Sequence, residues 1–95
     1  MNYTKANSRY SNGTSFQGIL EADYEDLVRV FGKPLLGSGD GKVQAEWVLR
    51  FENDSIATIY DYKENRDKEF VTNWHIGGKS SEVVALVNNV YWEAK

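Results

Sequence analysis

The stretch Trp74-His75-Ile76-Gly77-Gly78-Lys79-Ser80-Ser81 gathers an indole, the chain's single imidazole, two glycines, an ammonium and two hydroxyls. Residues 70–76 (FVTNWHI) read as a strand, and Ser80 or Ser81 reads as the N-cap of a helix. A strand that passes to a helix through glycines can aim backbone N–H groups, the positive helix end and a lysine at one point, which suits an anion such as phosphate. The plainer alternative is that the glycines make a turn and a serine caps the helix. The phosphate-loop pattern G-x-x-x-x-G-K-[ST] is met at Gly78, Lys79 and Ser80, but Asn73 stands at its first glycine. A chain of 95 residues is also too short for the rest of a nucleotide hydrolase, so that activity is excluded.

Tyr60, Tyr62 and Trp47 fall on strands expected beside Trp74 and His75. Aromatic rings stack on nucleobases for about 1–3 kcal/mol per base. The expected ligand set is therefore Gly77, Gly78, Lys79 and Ser80 on phosphate, Trp74 or Tyr60 on a base, His75 beside them, and Arg50 as a second anion contact. The competing reading places these aromatics in the core and makes His75 a packing residue.

Catalytic patterns are missing from the sequence: there is no G-x-S-x-G elbow, H-E-x-x-H pair or D-x-D-x-D loop. Zero cysteines remove a thiol nucleophile, a disulfide framework and cysteine-ligated metals, and one histidine removes a two-histidine metal site within the chain. Asp61, Glu64, Asp67 and Glu69 would form paired carboxylates only if folding brought them into a cleft, whereas the mixed-charge run 63–69 reads as a solvated loop. The expectation is a binding protein, not an enzyme, with no metal and no cofactor.

The elements that must position these residues are legible from their periods. Residues 14–22 read as a first strand; Asp23 then caps a short helix with Tyr24, Leu27, Val28 and Phe31 on one stripe, ended by Gly32 and Pro34. The acidic cluster Glu21, Asp23, Glu25 and Asp26 suits a helix N-terminus, with mimicry of nucleic-acid phosphates as the alternative. After a loop with Gly37, Gly39 and Gly41, apolar residues alternate from Val43 through Ala45, Trp47, Leu49 and Phe51. Asn53-Asp54-Ser55 turns this strand into a second one at 56–62, leaving open whether the turn takes two or three residues. A final helix carries Val83, Leu86, Val87, Val90 and Tyr91 on one stripe. Residues 1–13 lack either period and read as a flexible arm before a single domain, 14–95. The expected fold is α+β: an antiparallel sheet of about four strands in the order β-α-β-β-β-α, with two helices mainly on one face.

A length of 95 residues, 41% hydrophobic content and three Trp, six Tyr and four Phe fit one small core. The net charge of −3 argues against broad affinity for nucleic acid or anionic membrane. The chain shows neither an export signal nor an 18-residue apolar run, so a soluble cytoplasmic protein is expected.

Three segments, Ala45-Glu46-Trp47-Val48-Leu49-Arg50-Phe51-Glu52, Ile56-Ala57-Thr58-Ile59-Tyr60 and Trp74-His75-Ile76-Gly77-Gly78, together resemble a family of small phage-encoded proteins. The likeness spans roughly residues 31–87 and points toward the anti-CBASS and anti-Thoeris sponges. It implies a homo-oligomer, dimer or tetramer, in an infected bacterial host cell. It also implies that a cyclic nucleotide or an ADP-ribose-derived immune signal is bound and sequestered without hydrolysis. The alternative is an anti-CRISPR-like inhibitor that blocks a host defence complex through protein contact, using the acidic segment or a sheet edge.

Overall fold

Successive side chains of the strands point to opposite sides of one sheet, and the two helices cover only one of those sides. The computed structural model describes residues 2–36, 43–62 and 66–95. Gly37, Gly39, Gly41 and Glu64 lie outside the described residues. The fold is α+β: β1 (Tyr3–Lys5), β2 (Ser15–Glu21), α1 (Tyr24–Phe31), β3 (Leu35–Leu36), β4 (Ala45–Phe51), β5 (Ile56–Tyr60), β6 (Asn73–Gly78) and α2 (Glu82–Ala94). All pairings are antiparallel, in the order β1-β4-β5-β6-β2, and β3 shares with β1 the outer edge of β4. No helix among the described residues is long and apolar enough to cross a membrane.

One face of the sheet presents Ala45, Trp47, Leu49 and Phe51 from β4, Ala57 and Ile59 from β5, Trp74 and Ile76 from β6, and Leu20 from β2. These join Leu27 and Phe31 of α1 and Val83, Val87 and Tyr91 of α2 in one buried cluster. Burial of each large side chain contributes roughly 1.5–3 kcal/mol, so this cluster fixes which way every strand faces. Helix α1 begins at Asp23 and carries Glu25 and Asp26 in its first turn. It ends at Gly32, whose φ of 84° lets its N–H reach the Val28 carbonyl at 2.8 Å.

Two glycines place α2 close to the sheet. A Cβ on Gly78 would lie 2.5 Å from Val83 Cγ2, and one on Gly18 would lie 3.0 Å from Val84 Cγ2. Gly77 has its open side on the other face, where a Cβ would run into Thr58 Oγ1. The strand expected at 70–76 accordingly runs later: Lys68–Phe70 forms a 3-10 turn, and β6 continues through both glycines. They are packing residues inside a strand rather than the makers of a turn.

The sheet has two strands more than expected. Within the segment expected as a free arm, β1 is docked: it pairs with Leu49, Arg50 and Phe51, and the Tyr3 ring packs against Phe31 and Phe51 at 5.8 and 6.0 Å. The Tyr3 hydroxyl donates to the Val30 carbonyl at 3.2 Å, and Lys5 Nζ donates to the Lys33 carbonyl at 2.8 Å. A three-residue strand with one apolar side chain has no period to read, which is why the sequence hides it. Three residues, Glu52, Asn53 and Asp54, form the β4–β5 turn inside the bond from Phe51 N–H to the Ser55 carbonyl at 2.9 Å, with Asp54 at φ 66°.

These packing roles make a direct prediction. In urea unfolding, Gly78→Ala loses about 1–3 kcal/mol from overpacking against Val83, and Trp74→Ala loses about 3–5 kcal/mol as a core truncation. Wild-type stability in either variant would contradict the packing described.

Candidate functional site

The two-residue period of β6 splits the residues that the sequence places together. Trp74 points into the core at 0% exposure, where its Nε1–H donates to the carbonyls of Ala22 and Val71 at 3.0 and 3.2 Å. Its ring meets Trp47 at 5.5 Å and Tyr24 at 6.1 Å. Trp74 is therefore unavailable to stack on a ligand, and so is Trp47, which is buried and donates Nε1–H to the Gly32 carbonyl at 2.8 Å. His75 and Gly77 face the opposite, helix-free side.

On that side the register builds rows across the sheet. One row runs Glu46, Tyr60, His75, Ile19; the next runs Val48, Thr58, Gly77, Phe16. Phe16, Tyr60 and Tyr62 converge on the His75 ring, with centroids at 5.1, 5.3 and 6.0 Å. Phe16 and Tyr60 both meet the imidazole edge to face. Phe16, Ile19 and Tyr62 are 54%, 42% and 43% exposed, so the cluster offers ring surface to a partner instead of closing on itself. A Cβ on Gly77 would come within 3.3 Å of Tyr60 Cε1, so the glycine lets the tyrosine ring lie low on the sheet.

Glu46 stands next to Tyr60 across β4 and β5. Burial pushes its carboxyl above the usual 4.5. Burial also raises the Tyr60 hydroxyl, with the charge of Glu46 and then Tyr62 adding to the shift. The floor of the cluster thus holds two half-buried oxygen-bearing groups whose ionised forms burial disfavours.

The other expected contacts lie apart from this cluster. Arg50 shares the open face but sits at its far end, where its Nη2 pairs with Asp54 at 2.8 Å and its guanidinium lies 5.9 Å from the Tyr10 ring centroid. The 3-10 turn Ser8–Ser11 packs there against β4 and β5, at the end of the face where Val48 and Thr58 are buried. Lys79 and Ser80 are exposed and line a shallow depression of about 210 Å³ with residues 53–56 and Val83. Ser55 Oγ donates to Glu82 Oε1 at 2.9 Å, which sets a carboxylate beside the first turn of α2. Gly77 and Gly78 pair with β5 on one side and β2 on the other, so the expected backbone cradle for phosphate is replaced by sheet.

Among the described residues, the carboxylates Asp61, Asp67 and Glu69 do not meet in a cleft. Asp61 is buried and accepts hydrogen bonds from the Gln44 and Ala45 N–H groups at 2.8 and 3.1 Å and from Gln44 Nε2 at 2.9 Å, which anchors the start of β4. Asp67 and Glu69 are exposed. Among the described residues, no group of three or more His, Asp or Glu side chains is placed to hold a metal ion. In the acidic segment, Asp26 pairs with Arg29 and lies 3.7 Å from Lys95 Nζ.

Sequence reasoning missed Phe16, Ile19 and Glu46. Phe16 and Ile19 are three residues apart, so strict alternation would place them on opposite faces. A register shift between Phe16 and Gly18 sets Phe16 opposite Gly77 and Ile19 opposite His75, on one face. Glu46 was visible only as a polar residue on the outward side of the best strand. No protein-family model, curated protein or solved structure matches the chain.

The raised Glu46 pKa has a defined consequence for stability. The folded state holds this proton more tightly than the unfolded chain does, so the contribution is complete below the usual 4.5 and is lost as pH rises through the folded value. Thermal melts of Glu46→Gln therefore lose less stability than wild type as pH rises above the usual 4.5. An equal or steeper decline in the variant would contradict the assignment.

Proposed function

We propose that the protein is a stoichiometric binder: its open sheet face takes the planar base of a cyclic nucleotide or ADP-ribose-derived immune signal and withholds it, unhydrolysed, from a host effector. The observation that carries this reading is the convergence of Phe16, Tyr60 and Tyr62 on His75, with Phe16 and Tyr62 exposed. Such rings stack on any base, and the Glu46 carboxyl with the Tyr60 hydroxyl supplies hydrogen-bonding groups at the base edge. Lys79 directly follows the last residue of β6 and is exposed. It supplies positive charge for a phosphate at the end of the face.

The likeness of the E-W-V and W-H-I-G-G segments to phage sponges supplies the ligand class and the setting, an infected bacterial cell. Direct inhibition through the acidic segment has less support, because Asp26 is already matched by Arg29 and Lys95.

Native mass spectrometry against cyclic dinucleotides, cyclic trinucleotides and cyclic ADP-ribose isomers tests this reading. The expected result is retention of one intact ligand mass. Phe16→Ala and Tyr62→Ala each weaken that binding by about 1–3 kcal/mol. Failure to gain any mass across the panel, or release of a cleaved product, overturns the proposal.

A further inference from the structure

Among the described residues no strand pairs with the outer edge of β2, and exposed apolar side chains border it on both faces of the sheet. Phe16 and Ile19 flank it on the open face. On the helix side, Val84 packs over Gly18, and Val84, Asn88 and Trp92 follow one another at four-residue spacing along the same flank of α2. Trp92 is 58% exposed.

The edge itself is open to pairing. Ala22 N–H donates to the Thr72 carbonyl at 3.0 Å. Antiparallel alternation then directs the N–H and C=O groups of Ile19 and Glu21 away from β6. The sequence of β2, SFQGILE, contains neither the lysine nor the proline that usually guards an edge strand. The opposite edge of the sheet, by contrast, is divided between a three-residue and a two-residue strand.

We infer that a second copy of this chain adds to the β2 edge, forming an antiparallel dimer with a two-fold axis at Leu20. The axis pairs Ile19 with Glu21 of the partner subunit and Glu21 with Ile19 of the partner subunit, so the outward backbone groups of both copies satisfy one another. Glu21 is the only charged residue of β2, and this register sets it opposite an isoleucine rather than opposite its own symmetry mate. The dimer covers Ile19 and the Val84–Trp92 flank and joins the two His75-centred faces into one surface. The inference stands on the edge geometry and is independent of the ligand reading.

Sedimentation velocity and acrylamide quenching of the full chain, across a micromolar concentration series without nucleotide, test it. Trp47 and Trp74 are buried, so Trp92 is the indole that reports. The expected result is twice the 10.8 kDa chain mass at the upper concentrations, with Trp92 quenching falling in step. Ile19→Lys and Trp92→Gln each shift the midpoint upward by about tenfold or more, with unchanged circular dichroism. If Ile19→Lys fails to fold, the surface variant Trp92→Gln decides alone. Wild-type protein that stays at 10.8 kDa throughout, including protein that pairs only with a different polypeptide, overturns the inference, as does a dimer that persists in the folded variants.

Discussion

The burial of Trp74 is the constraint on which the rest of the architecture depends. Its indole is enclosed by Trp47 and Tyr24, and its N–H is shared between the Ala22 and Val71 carbonyls, which ties the end of β2 to the segment leading into β6. Slipping β6 by one residue would bring this ring out of the core and bury His75 and Gly77 in its place. With Trp74 fixed, alternation leaves His75 on the other face, and the rows across β4, β5 and β2 bring Glu46, Tyr60 and Ile19 into line with it. Both helices are spent on the Trp74 face. Among the described residues, the turn at Ser8–Ser11 lies over one end of the open face, and Phe16, Ile19 and Tyr62 at the other are exposed.

The same strand shows what period and composition can and cannot reveal. Ala45, Trp47, Leu49 and Phe51 announce their face because four apolar residues alternate without interruption, and the stripes of α1 and α2 do the same at helical spacing. The α+β class follows directly from those patterns. Gly77 and Gly78 read locally as a turn, since glycine pairs commonly break strands. Their actual roles depend on partners distant in sequence: Val83 on one side and Thr58 on the other. Nothing local distinguishes a glycine needed for a turn from one needed for close approach.

The residues of the candidate site were legible in proportion to the regularity of their strands. His75 and Tyr60 could be named from strand assignment alone. Trp74 was assigned to the wrong side because a lone strand does not say which parity faces the helices. Phe16 and Ile19 were hidden by the register shift in β2, which gives two residues at odd spacing a common face. Edge strands tolerate such irregularity because only one neighbour constrains them, and a shift there re-aims side chains without disturbing the core.

A binding surface built in this way has a physical advantage over one built on loops. Tyr60 and His75 rise from paired strands and Phe16 from a third, so the rings are already ordered before a partner arrives and little conformational entropy remains to be lost. The central claim is that this face is where the protein binds. Aromatic carbon–proton NMR spectra recorded while a bound cyclic nucleotide is titrated test it most directly. The account predicts large shifts of the Phe16, Tyr60, Tyr62 and His75 rings, with Trp74 and Trp47 nearly unmoved. Shifts confined to the acidic segment or to the α2 surface, with the His75 cluster silent, would contradict it.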